Sequence, residues 1–153
     1  MVGIIFVITC ILLLNVTAIT IPKRMTMIEV YATSLFVLTL GLTTDIALDL
    51  RYNFYGHFQQ GPDLIGLITV FGIYPSANMI MLNYFPYHKS LKVKILYILI
   101  ASGAFLFYEW LSLISGSLYY TVWKLWYSAL CYPILISIVA WNLAIIRKMM
   151  KRK

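Results

Sequence analysis

A carboxylate, Glu109, stands in the middle of "FLFYEWLSL", residues 105–113, where its neighbours are apolar or aromatic. A second acidic feature is "TTDIALD", in which Asp45 and Asp49 are spaced i to i+4 and so share one face of a helix. The chain has only five acids, Glu29, Asp45, Asp49, Asp63 and Glu109, so these two segments hold most of its capacity for proton exchange or cation binding. Carboxylates in a poor dielectric without a fixed cation favour keeping a proton or drawing in a positive ligand. Tyr108 and Trp110 flank Glu109. Aromatic faces beside a carboxylate suit a quaternary ammonium or a developing carbocation, because ring quadrupole and charge both stabilise positive charge.

The elements that must position these groups are membrane helices. With 62% of 153 residues hydrophobic and 11% charged, the chain has too little polar surface to coat a soluble globule. A spanning helix needs about 20 mostly apolar residues. The apolar runs predict five spans, at about 2–20, 27–50, 64–84, 92–115 and 127–146. The expected fold is therefore all-α, an integral membrane bundle of five transmembrane helices forming a single domain over residues 1–153. The first run lacks a basic leader and a small-residue cleavage site, so it is expected to be a retained helix.

Charge fixes the expected direction. Ten of the twelve basic residues lie in Lys23-Arg24, in Lys89, Lys92 and Lys94, and in the tail "RKMMKRK". All three segments fall on one side of a five-span chain, which predicts the N-terminus outside and the C-terminus in the cytoplasm. At 1.5 Å per residue, Asp45 then lies roughly 27 Å and Glu109 roughly 24 Å from the cytoplasmic ends of their helices. The two acids share a depth in the outer leaflet. Gly41 and Ser34 continue the face of Asp45, and Ser102, Phe105, Ser112 and Gly116 that of Glu109. These stripes of small and polar residues suit helix contact, so both acidic faces are expected to look into the bundle.

Other features have simpler readings. Thr26-x-x-Glu29 after Pro22 is a capping box that starts the second helix, which makes Glu29 structural. Pro75 and Pro133 lie inside spans three and five, where kinks are expected. Asp49 lies near the interface beside Arg51, where a surface pair is the alternative to a place at a cavity mouth. The outer aromatics of "YNFYGHF" and "YYTVWKLWY" are largely what a membrane-interface belt requires. Cys10 and Cys131 have no CxxC spacing, and His57 has only dispersed acids for company, so neither a disulfide nor a metal site is implied. No nucleotide-binding, serine-hydrolase or zinc-protease motif is present, and no cofactor is expected. The positive charge flanks apolar runs, which excludes nucleic acid as the expected partner.

The segments "GLTTDIALDLRYNFYGHF", "FGIYPSANMIMLNYFP", "YEWLSL" and "WKLWYSALCYP" together resemble a family of small, uncharacterised membrane proteins of Bacillus, Clostridium and related Firmicutes, along residues 22–142. The resemblance implies a bacterial plasma-membrane location and says nothing of a reaction. In residue types alone, Asp45, Glu109 and Trp110 are similar to the acids and aromatics of integral-membrane terpene and carotenoid cyclases, although this chain is shorter.

The expected function is an outward-facing cavity that binds or moves a cationic or lipid-like small molecule. Asp45 and Glu109 supply charge or exchange protons, Asp49 lines the mouth, and Tyr108, Trp110, Trp123 and Trp126 form walls. One alternative is a membrane enzyme acting on an isoprenoid or lipid, with Glu109 and Asp45 as catalytic acids. Another is a non-catalytic membrane partner whose acids set helix packing. Membrane lipids are expected neighbours, and the size of the chain allows a homodimer.

Overall fold

The computed structural model describes residues 1–59 and 63–151, so the last two basic residues of the tail lie outside it. Five helices, each long and apolar enough to cross a membrane, account for most of the chain. They are α1 (Val2–Thr20), α2 (Met27–Asp45, extended by a π-helical turn over Ile46–Arg51), α3 (Leu64–Asn83), α4 (Leu91–Ser115) and α5 (Leu125–Met150). Two short strands, β1 (Tyr55–His57) and β2 (Leu118–Tyr120), pair antiparallel across the loops that follow α2 and α4. The architecture is an all-α membrane bundle with a small ribbon at one end.

Local chemistry sets the helix ends. Beyond α1, Lys23 folds back and donates to the free carbonyls of Ala18 and Ile19, at 2.5 and 2.8 Å. At the start of α2 the Thr26 hydroxyl accepts from the Glu29 amide and the Glu29 carboxylate accepts from the Thr26 amide, so the expected capping box is present. Asp63 caps α3 through the Ile65 amide at 2.9 Å. Gly116 ends α4 in the left-handed conformation, φ +75°, which favours glycine. Both α3 and α5 continue through their prolines.

Each helix packs on two others in the cyclic order α1, α3, α2, α5, α4 and back to α1. A ring of five helices leaves an axial space, and the sequence fills only half of it. At the basic end Met25, Met81, Leu82, Ile136, Val139, Ala140 and Leu143 form a buried cluster. Asn83 clasps the turn before α2 there, accepting from the Arg24 amide at 2.7 Å and donating to the Pro22 carbonyl at 3.0 Å. Toward the ribbon the inward positions are small or polar, among them Gly41, Ser112 and Ser128, and the ring is hollow.

Candidate functional site

The hollow is a cavity of about 580 Å³, walled by all five helices and both strand-bearing loops. Asp45 reaches it from the last α-helical turn of α2 and Glu109 from α4. Glu109 is 7% exposed, and its Oε1 accepts from the Tyr120 hydroxyl at 2.5 Å and the Ser128 hydroxyl at 2.7 Å. The indole N–H of Trp123 donates to the same Ser128 oxygen at 2.8 Å, which holds that hydroxyl toward the carboxylate. Asp45 Oδ1 accepts from the Tyr55 hydroxyl at 2.7 Å. The second oxygens, Glu109 Oε2 and Asp45 Oδ2, are buried and make no hydrogen bond of standard geometry among the described residues, although the Tyr132 phenol lies beside Glu109 and the Tyr74 phenol beside Asp45.

The ribbon explains how two carboxylates on different helices meet one another's surroundings. Tyr55 and Tyr120 are direct cross-strand partners, so their side chains leave the ribbon on one face. One phenol then reaches each acid. The Phe54 carbonyl accepts from the amides of Thr121, Val122 and Trp123, each at 3.0 Å, and so locks the two loops together. Deeper in the cavity, Tyr74 of α3 packs against Gly41, one turn below Asp45, where a methyl group would overlap its ring. Tyr108, Tyr132 and Trp123 complete an aromatic lining around the acids, and Trp123 meets Tyr55 edge to face at 6.0 Å.

Of the residues expected from sequence, Asp45, Tyr108, Glu109 and Trp123 therefore face one cavity. Asp49 does not line it. It lies in a smaller neighbouring pocket of about 120 Å³ with His57 and Asp63, its Oδ2 4.0 Å from His57 Nδ1. Trp110 and Trp126 do not line the cavity either. Trp110 is 45% exposed and stacks on Phe107, while Trp126 is 55% exposed and lies against Tyr127. Successive helical residues point about 100° apart, so the position after an inward Glu109 is carried to the outer, lipid-facing surface. Tyr108 stays inward and stacks on Phe6 of α1 at 5.8 Å. Among the described residues no cluster of His, Cys, Asp or Glu is arranged to hold a metal ion.

Sequence reasoning missed Tyr55, Tyr74, Tyr120, Ser128 and Tyr132, since belt aromatics and cavity aromatics have the same composition. The available signal was the pair of tyrosine-bearing outer loops at matching depth, each preceded by an acidic helix end.

Burial pushes the Tyr55 phenol above its ordinary range, and the Asp45 charge adds to this. Burial likewise raises Tyr120, helped by its hydrogen bond to Glu109. A raised phenol keeps its proton when the unfolded chain has lost it, so this stability is complete below the ordinary phenol value of about 10 and declines as pH rises beyond it. Detergent-solubilised protein is expected to lose unfolding resistance above about pH 10, with a shallower decline in Tyr55→Phe and in Tyr120→Phe. Unfolding midpoints across that range check this, and an unchanged slope in both variants counts against buried, acid-bound phenols.

Comparison with family models, with curated proteins and with solved structures gives no match to this chain.

Proposed function

We propose that this membrane protein binds a cationic, lipid-like small molecule in the cavity between its helices, reached from the outer face of a bacterial plasma membrane. The observation that carries the reading is the pair of buried carboxylate oxygens, Asp45 Oδ2 and Glu109 Oε2, which lack hydrogen-bond partners among the described residues in a cavity lined by no described Lys or Arg and by one ionisable nitrogen base, the His57 imidazole on the Asp45 side. An uncompensated buried acid is costly, and a cation is the ligand that relieves it. Tyrosine and tryptophan faces around the acids suit a quaternary or alkylated ammonium. The apolar lower wall, including Leu40, Phe105 and Val139, suits a hydrocarbon tail. The packed basic end closes the cavity on one side, which favours a binding cup over an open channel.

The bacterial plasma-membrane location rests on the resemblance described above, and the orientation with the N-terminus outside on the distribution of Lys and Arg. The tyrosine faces near Glu109 also support a second reading, acid catalysis on an isoprenoid or other lipid. That reading expects an altered lipid in membranes holding the wild-type chain and its loss with Glu109→Gln.

Cys131 lines the cavity and is free, which supplies the test. In a Cys10→Ser background in nanodiscs, decyltrimethylammonium is expected to slow maleimide alkylation of Cys131. Asp45→Asn and Glu109→Gln each raise the concentration needed by about tenfold, the worth of one charge-assisted contact. No protection of the wild type, or equal protection in both variants, refutes the cationic reading.

A further inference from the structure

Asn78, on α3, is one helical turn below Tyr74 and is 3% exposed. Among the described residues neither its Oδ1 nor its Nδ2 has a hydrogen-bond partner, yet the residue lines the cavity. Leaving a buried amide unpaired in apolar surroundings costs several kcal/mol, and the large majority of such groups in folded proteins are partnered. An ordered water would need at least two polar partners. Val37, Leu40, Met81, Phe105, Ile136 and Val139 of the lining carry no polar side-chain group, and the buried, unpartnered Ser102 hydroxyl of α4 is not part of that lining.

The distance to the acids is set by the helices. Asp45 is one turn above Gly41, Gly41 packs on Tyr74, and Tyr74 is one turn above Asn78. Two four-residue steps at 1.5 Å per residue put the Asn78 backbone about 12 Å deeper than that of Asp45, and the two side chains, each tilted toward the N-terminus of its own helix, close part of that span. The cavity thus offers an acceptor for positive charge at its outer end, an apolar wall, and then a group that both donates and accepts hydrogen bonds.

We infer that the ligand is two-headed, a cationic amphiphile carrying a hydroxyl or carbonyl roughly 10 Å along its chain, which the Asn78 amide engages at the floor of the cavity. This rests on the cationic reading above and narrows it to one class of molecule. A plain alkyl chain leaves Asn78 unsatisfied, whereas a chain with a terminal polar group pairs it.

The test compares decyltrimethylammonium with its ω-hydroxy derivative by protection of Cys131 in the Cys10→Ser background. In the otherwise wild-type protein the hydroxylated compound is expected to protect at a concentration about tenfold lower, the effect of satisfying a buried amide. In Asn78→Leu that preference disappears or reverses, while the plain compound still protects and so shows an intact fold and site. Equal protection by the two compounds in the wild-type background, or a preference that survives in Asn78→Leu, overturns this inference and leaves the cationic reading standing. Protection by neither compound overturns both.

Discussion

Arg147→Met is expected to cost about 2 to 3 kcal/mol of stability, although the residue lies at the opposite end of the bundle from the cavity. Its Nε donates to Glu29 Oε1 at 2.8 Å, and its guanidinium stacks over the Tyr87 ring at 4.6 Å. Glu29 is 4% exposed, and its other oxygen is committed to the Thr26 amide of the capping box. Without Arg147 a charged carboxylate is left buried with no cation. Breaking such a pair costs more than replacing both members, so Glu29→Gln combined with Arg147→Met should recover most of the loss, because glutamine still accepts from Thr26. Denaturant titrations of the single and double variants measure this. A loss under about 1 kcal/mol in Arg147→Met would mean that water solvates Glu29, and the pair would then be no more than a surface contact.

The second large effect is expected at Gly3. A Cβ there would lie 2.9 Å from the Ser117 amide nitrogen and 3.0 Å from the Ser115 carbonyl oxygen. Both obstacles are backbone, which cannot rotate away as a side chain can. Ser117 is held on two sides, its amide bonded to the Ser112 carbonyl and its own carbonyl accepting from Phe58 beside the ribbon. Gly3→Ala therefore has to push α1 off α4 or drag the ribbon, and a loss of about 2 kcal/mol is expected, within the usual range for overpacking. Gly103, also helical, has nothing within 4 Å of its would-be Cβ. Gly103→Ala should instead gain up to about 1 kcal/mol from helix propensity. Parallel unfolding curves decide the matter, and equal responses from the two glycines would mean that the close approach of α1 to Ser117 is absent.

The spans could be read from the sequence because the bilayer imposes one rule, a long apolar run, on every crossing. Four of them begin and end within about two residues of expectation, inside the usual uncertainty of helix ends. The fifth continues to Met150 instead of stopping near residue 146, because hydropathy falls at Arg147 while backbone hydrogen bonding does not. The capping box was legible for the same reason, being local. Its partner Arg147 was not, since 118 residues separate the two side chains. Glu109 and Asp45 stood out as charges in apolar runs. Tyr55 and Tyr120 did not, because strand pairing over three residues in each loop leaves no periodicity to detect. Trp110 and Tyr108 both adjoin Glu109 in sequence, yet Tyr108 lines the cavity and Trp110 is 45% exposed, because adjacency alone does not say which side of the helix a residue takes.

The ribbon has a consequence for assembly. Asp45, Tyr55, Tyr74 and Asn78 all precede the turn at residues 84–90, and Glu109, Tyr120, Trp123, Ser128 and Tyr132 all follow it. Neither half of the chain holds a site of its own, and β1 has no strand to pair with until β2 exists. The first three helices alone form an open wall, and the cavity requires the last two to close the ring. A chain divided within residues 84–90 would give two fragments that must meet before the cavity exists, so shielding of Cys131 in that cavity would act as a signal that two membrane segments have found each other.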